Sequence, residues 1–139
     1  MLIFMLICVF FVSLAEKTTK AKIEINEQEL LIKRLNEIVS SYDNPILDDK
    51  FYKTIDLHGI EQMITIFPAK TNNTVFAHLV EHTYPNGYNG NIRLLTGINV
   101  DGSLLGVRVV NHKETPGLGD KIETRKSNWI KSFTGLWWS

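Results

Sequence analysis

Cysteine is nearly absent from this sequence of 139 residues, which contains only Cys8. One cysteine cannot form a disulfide within the chain, and it cannot supply the thiolate cluster of an iron–sulfur or zinc site. A basic excess is also missing, because 15 Lys and Arg residues balance 15 Asp and Glu residues. Composition therefore gives no indication of nucleic-acid binding.

A metal site is not predicted from the histidines either. His78 and His82 are four residues apart, which is a metal-binding spacing on a helix, but the residues around them alternate as in a strand. On a strand, residues four apart share a face and lie too far apart for easy chelation. No acid–base pair and no nucleophile–base arrangement stands out, so the sequence gives no indication of a hydrolase.

The first fifteen residues, Met1–Ala15, contain no charge, but they fall short of the roughly 20 apolar residues of a spanning helix. A signal peptide, a buried helix and a membrane anchor are the alternatives. A signal peptide should begin with basic residues and end at a small-residue cleavage site, and here Glu16 and Lys17 follow at once. A buried helix needs a domain around it, and a polar helix follows instead. We therefore expect a transmembrane anchor over residues 1–15.

The next segment is predicted to be a connecting helix over residues 16–40. Its apolar positions recur at helical spacing at Leu31, Leu35, Ile38 and Val39, and charged residues lie between them. Pro45 and the short polar residues before it end this helix. The remaining residues, 41–139, are expected to form one domain.

Strands are predicted to dominate this domain. Gln62–Phe67 and Val75–Val80 are rich in β-branched and aromatic residues, and Pro68–Asn73 is interpreted as the turn between them. Thr83–Gly90 is interpreted as a loop, in which Tyr84 and Tyr88 either stack on a ligand or simply pack.

A hairpin provides the strongest structural signal in the domain. Ile92–Val100 and Leu104–Val110 flank Asp101-Gly102, a dipeptide that tolerates the positive φ angles of tight hairpin turns. We expect this hairpin to be the central pair of a mainly antiparallel sheet with flanking helices, in the α+β class.

The segment His112–Ile122 follows this hairpin and precedes Ser127, which can cap a short helix in which Trp129 and Phe133 share a face. Pro116 restricts the backbone, whereas Gly117 and Gly119 permit conformations and close approaches that a side chain would block. Such a loop can bring backbone N–H groups to a flat or anionic ligand. The alternative is a plain surface turn, since the spacing matches no phosphate-binding loop.

The order and spacing of these motifs resemble those of a known family. Gly87–Ile98, Asp101-Gly102, Gly106–Val109 and His112–Ile122 together resemble the FMN-binding domain of the G-type subunit of the Rnf (Rsx) ion-translocating electron transport complex. That family is related to the C-type subunit of the sodium-translocating NADH:quinone oxidoreductase. The resemblance implies a flavoprotein subunit that transfers electrons through FMN, with the other members of the complex and the membrane as partners.

The resemblance also implies the cofactor-binding residues. The loop that would lie near the isoalloxazine ring consists of Glu114, Thr115, Pro116, Gly117, Leu118 and Gly119. Lys121, or Lys113, would offset negative charge on the reduced flavin or on its phosphate.

Localisation follows from the resemblance rather than from charge. Lys17, Lys20 and Lys22 follow the apolar run, and the positive-inside rule alone would put the bulk of the chain in the cytoplasm. The resemblance instead implies a single-pass protein of the bacterial inner membrane whose soluble domain is periplasmic, and we adopt this orientation.

One motif of the family is missing. Family members attach FMN through the last threonine of a Ser/Thr-Gly-Ala-Thr motif, downstream of the loop. Here Thr134-Gly135 is followed by Leu136 and Trp137. We therefore expect a C-terminally incomplete domain without covalent FMN, with apolar surface exposed at Leu136, Trp137 and Trp138. Three hypotheses remain: a flavoprotein subunit, a truncated or decayed copy, and a membrane-anchored, non-enzymatic binding module.

Overall fold

The computed structural model describes residues 1–57 and 59–137, except the side chains of Leu2 and Thr18. His58, Trp138 and Ser139 lie outside the described residues, and so does the predicted exposure of Trp138. The chain divides into two compact units, Met1–Lys33 and Arg34–Ser139.

Helix α1 spans Leu2–Ile38 and makes up nearly all of the first unit. Apolar side chains of its first four turns, including Phe4, Phe10 and Phe11, are exposed. Further along, Lys20 pairs with Glu16 at 2.7 Å, one helical turn away. None of the helices in the described part combines the length and the apolar character that crossing a membrane requires.

The second unit is built on a five-stranded antiparallel sheet with strands in sequence order. The sheet and the preceding helix confirm the α+β class. The strands are β1 (Phe51–Leu57), β2 (Ile60–Thr71), β3 (Thr74–Gly87), β4 (Gly90–Asn99) and β5 (Leu104–Asn111). Two 3-10 helices, η1 (Asp120–Ile122) and η2 (Trp129–Phe133), follow β5.

The predicted hairpin at Asp101-Gly102 is present and joins β4 to β5. Ser103 donates to the Asp101 carboxylate from its N–H and its hydroxyl, and these bonds lower the pKa of Asp101. The prediction that this hairpin forms the central pair is wrong, because β3 is central and β5 lies at one edge. Each strand pairs with the next one along the chain, so the hairpin that comes last in sequence also comes last in the sheet.

The turn predicted at Pro68–Asn73 is much shorter in the structure. β2 continues to Thr71, and the turn is Asn72-Asn73, whose φ angles of 50° and 62° are positive. Pro68 is tolerated within β2 because β1 ends its pairing at Ile66. Beyond that point the side chain of Asn44 takes the place of a strand, accepting the Lys70 N–H and donating to the Pro68 carbonyl.

The loop predicted at Thr83–Gly90 is also mostly strand. β3 continues to Gly87 and β4 starts at Gly90, with a break in register between Tyr84 and Gly87. Only Tyr88 and Asn89 turn the chain. The Pro, Asn and Gly residues that suggest a loop are instead accommodated by an irregular hairpin tip.

The largest fully buried side chains lie on the sheet face that the end of α1 covers. Leu35 and Val39 are buried together with Phe67, Leu79 and Leu95 from the sheet. A Cβ atom at Gly97 would lie 2.4 Å from Ile38 Cγ2, so this glycine lets the helix end approach β4.

Candidate functional site

The loop that joins β5 to η1 has a defined backbone. The carbonyl of Thr115 accepts the N–H groups of Leu118 at 3.1 Å and Gly119 at 3.0 Å. Gly117 lies between Thr115 and Leu118 with a φ of +82°, in the left-handed region that favours glycine. The turn is therefore tight, and it depends on Gly117 for its conformation.

Asp120 closes this turn from its C-terminal side. One carboxylate oxygen accepts the Gly117 N–H at 2.9 Å, and the other lies 3.1 Å from Lys126 Nζ. The Gly117 bond, followed by the Lys126 bond, lowers the pKa of Asp120. The carboxylate therefore stays ionised at neutral pH and links the turn at Gly117 to Lys126.

Glu114 connects the loop to the tip of the β3–β4 hairpin. Its Oε1 accepts the Asn89 N–H at 3.2 Å, and Asn89 Nδ2 donates to Thr115 Oγ1 at 2.8 Å. A Cβ at Gly119 would lie 2.7 Å from Glu114 Cβ, and one at Gly87 would lie 2.9 Å from Glu114 Oε1. The Glu114 side chain thus occupies the space that both glycines leave open.

These contacts change the expected role of the loop backbone. The expectation that its N–H groups would meet a ligand fails at four positions, where they already have partners inside the protein: Glu114, Gly117, Leu118 and Gly119. The sequence indicates a loop that can present N–H donors to a ligand, whereas in the structure these four donors stabilise the shape of the loop itself.

Other groups of the loop remain available to a ligand. Pro116, Gly117 and Leu118 are exposed, and Leu118 exposes 78% of its surface. Thr115 Oγ1 accepts a bond from Asn89, which leaves its own proton free to donate. Within residues 1–57 and 59–137, the ammonium groups of Lys113 and Lys121 make no ion pair.

Tyr88 lies beside Asn89 at the hairpin tip and exposes 93% of its surface. Its ring is therefore available to a planar ligand. Tyr84 is half-exposed and lines a groove on the sheet face opposite α1.

That groove consists of two adjoining cavities of about 380 and 430 Å³. Their walls are chiefly aliphatic and aromatic, and both include His82 and Thr96, whose Nε2 and Oγ1 lie 3.1 Å apart. Burial lowers the pKa of His82, so the imidazole is neutral at pH 7. Ile122 and the Trp129–Phe133 helix line the cavity nearer the loop, where the two rings of that helix pack edge to face, 5.2 Å apart, as predicted.

The prediction that Ser127 caps the helix is wrong by one position, because the N-cap residue of η2 is Asn128, which makes no side-chain cap bond. The Ser127 hydroxyl oxygen still accepts the Trp129 N–H at 3.1 Å, and the hydroxyl donates to the Lys121 carbonyl. The element is a 3-10 helix of five residues.

Three residues of the site are absent from the predicted set. Asn89 bonds to Thr115, 26 residues away along the chain, and Glu123 bonds to His112, 11 residues away. No local pattern indicates contacts over such separations. Asp120 has a local signal, because an Asp three residues after a turn glycine can accept its N–H.

Comparison with known proteins defines the class of domain first. Residues 87–135 match the FMN-binding domain family. The match begins at the hairpin tip and includes the whole Glu114–Lys121 loop. Over these residues the chain is therefore similar to FMN-binding domains.

Comparison with whole proteins gives a narrower similarity. It is 39% identical over 137 residues to the G-type subunit of the ion-translocating oxidoreductase complex of Shewanella piezotolerans, covering 96% of this chain and 65% of that protein. It is 41% identical over 133 residues to the corresponding subunit of Shewanella amazonensis, covering 94% of this chain and 62% of that protein. It is 38% identical over 126 residues to the corresponding subunit of Vibrio vulnificus, covering 89% of this chain and 60% of that protein. The chain is similar to these G-type subunits and spans less than two thirds of their length, 60–65%.

Proposed function

We propose that the Glu114–Lys121 loop and Tyr88 hold FMN without a covalent bond. The observation that carries this proposal is the exposed surface of Pro116, Gly117 and Leu118 on a backbone whose own hydrogen bonds are already made. Such a surface can take a flat ring without reordering, which lowers the entropic cost of binding.

The residues present fit the chemistry of a flavin. The Thr115 hydroxyl has a proton to donate to a ring carbonyl or ring nitrogen, and the Tyr88 ring can stack on a planar system. Lys121, or Lys113, carries a positive charge that can offset a phosphate or a reduced ring. Glu114 and Gly119, in contrast, support the loop from behind.

We further propose that the protein transfers electrons within an ion-translocating oxidoreductase complex. When bound, FMN supplies the redox chemistry, because it accepts and donates electrons singly or in pairs. The residues of the chain bind and orient it and leave one side of the loop open to a redox partner. The other subunits of the complex are the proposed partners.

A titration of the protein with FMN, followed by quenching of flavin fluorescence, tests the first proposal. We expect saturable binding that weakens about 3- to 10-fold in Thr115→Val and in Lys121→Gln, as for the loss of one hydrogen bond or charge. Lys53→Gln is the matched control, because Lys53 is exposed on β1 at the far edge of the sheet. Absence of saturable binding would favour the decayed copy or the binding module.

Domain organisation is proposed from sequence and exposure together: an anchor over residues 1–15, a connecting helix over 16–40 and the FMN-binding domain over 41–139. The exposed apolar side chains of Met1–Ala15 support insertion into the inner membrane, since leaving them in water costs about 25 cal/mol per Å². We propose a periplasmic domain, as the family resemblance implies.

Two measurements test this arrangement. Membranes washed with carbonate should retain the chain, and deletion of residues 2–15 should release it. Protease added to intact spheroplasts should degrade the FMN-binding domain, and protection of the domain under these conditions would instead indicate a cytoplasmic location.

A further inference from the structure

His112 is the first residue after β5 and makes two hydrogen bonds with opposite roles. Its Nδ1 accepts the Glu114 N–H at 3.0 Å, and its Nε2 lies 3.1 Å from Glu123 Oε1. A ring nitrogen that accepts an N–H carries no proton of its own. The geometry therefore selects the neutral tautomer, with the proton on Nε2 and directed to Glu123.

The surroundings favour this arrangement. The side chains of His112 and Glu123 are only 13% and 12% exposed. Arg125 Nε donates to the second oxygen of Glu123 at 2.5 Å. The hydrogen bond from Arg125, and to a smaller degree the one from His112, lower the pKa of Glu123. Glu123 is therefore a carboxylate that accepts a hydrogen bond from His112 Nε2–H.

The effect of these bonds reaches the ligand surface through Glu114. The backbone of Glu114 is held by His112, and its side chain meets Asn89, Gly87 and Gly119. The hydroxyl oxygen of Thr115, the next residue, accepts a hydrogen bond from Asn89 Nδ2. A change at the Glu114 backbone would therefore move the hydroxyl and the exposed turn together.

We propose that His112 is a positioning residue of the flavin site: its Nδ1 holds the Glu114 backbone at the start of the loop, and Glu123 orients the ring by accepting the Nε2–H. The expected effect of His112 on FMN binding rests on the proposed function. Its effect on the loop follows from the two hydrogen bonds alone. His112 does not itself contact the ligand.

Two substitutions separate the two ring nitrogens. In His112→Asn, the amide oxygen can occupy the position of Nδ1 and keep the Glu114 bond. In His112→Gln, the longer amide reaches the position of Nε2 and keeps only the Glu123 bond. We expect His112→Asn to bind FMN within about 3-fold of the wild type and His112→Gln to bind about 3- to 10-fold more weakly.

A readout without flavin completes the test. Nitrogen-15 NMR of the wild-type chain should give an unprotonated Nδ1 and a protonated Nε2 at neutral pH. Amide exchange at Glu114 should be slow in the wild type and in His112→Asn, and faster in His112→Gln. An Nδ1–H tautomer, or equal effects of the two substitutions on exchange and affinity, would overturn the assignment. Failure of the wild type to bind FMN would instead refute the proposed function, because the tautomer and the exchange pattern do not depend on it.

Discussion

Gly119→Ala tests whether Glu114 fills the space behind the loop. Gly119 has φ −91° and ψ −14°, a conformation that alanine adopts without strain. Any cost of the substitution must therefore come from the added methyl group.

The size of this cost follows from the distances. The new Cβ would lie 2.7 Å from Glu114 Cβ, 2.9 Å from its Oε2 and 3.3 Å from its Cγ. A Cβ atom is fixed to the backbone and cannot rotate away, so the loop itself must shift. Overpacking of this kind costs about 1–3 kcal/mol, and FMN affinity should fall because the Glu114 backbone moves with it.

Urea unfolding of the full chain in detergent micelles, followed by tryptophan fluorescence, measures the first effect, and FMN titration measures the second. Gly102→Ala is the control. Gly102 has a φ of +91°, and no atom lies within 4 Å of the position that an added Cβ would take. This variant should therefore lose about 1–2 kcal/mol through backbone strain alone and keep its FMN affinity.

The double variant Glu114→Gly/Gly119→Ala provides the decisive result. Because Glu114→Gly removes the atoms that the new methyl group meets, the double variant should be more stable than the sum of the single effects by about 1 kcal/mol. Additive effects, or a neutral Gly119→Ala, would refute the packing of Glu114 against Gly119.

Three further predictions concern stability and the cofactor. Because burial lowers the pKa of His82 below 6.5, His82 takes up a proton at a higher pH in the unfolded chain than in the folded chain. Stability should thus decline below about pH 6.5, by at most about 1.4 kcal/mol per pH unit, and His82→Gln should flatten this slope in urea titrations between pH 5 and 7.5. Leu35→Ala should cost about 2–5 kcal/mol, since Leu35 is 0% exposed, whereas Leu30→Ala, at a position 36% exposed, should cost less than about 1 kcal/mol in the same assay. The 139-residue chain co-expressed with the family's flavin transferase should show no flavin fluorescence in a denaturing gel, because the acceptor motif is missing from its sequence, and a fluorescent band would show that another residue accepts the phosphate.

Local patterns predicted the elements whose determinants lie within a few residues of each other. Asp101-Gly102 indicates its hairpin because the turn needs residues that tolerate positive φ. Trp129 and Phe133 were expected to pack because they are one turn apart. The resemblance to G-type subunits rests on the order and spacing of such local motifs, and the comparisons confirm this similarity.

Predictions failed where a partner distant in sequence changes the meaning of a residue. Pro68 suggests a turn, but it lies in β2 because the side chain of Asn44 occupies the edge that β1 leaves open. The Pro, Asn and Gly residues near Gly87 suggest a loop, yet pairing with β4 extends β3 through them. Strand pairing over many residues outweighs local turn propensity at both places.

The order of amino acids was sufficient to indicate the resemblance to G-type subunits and the antiparallel α+β class, because hydrophobic period, turn chemistry and motif spacing are local properties. The role of each site residue became visible only in the folded chain. Glu114 and Gly119 belong to the support of the loop and Thr115 and Leu118 to its exposed side, because Asn89 on a separate hairpin fills one side of the loop. Which face of a loop is covered depends on chain segments brought together by folding, and no pattern within the loop records it.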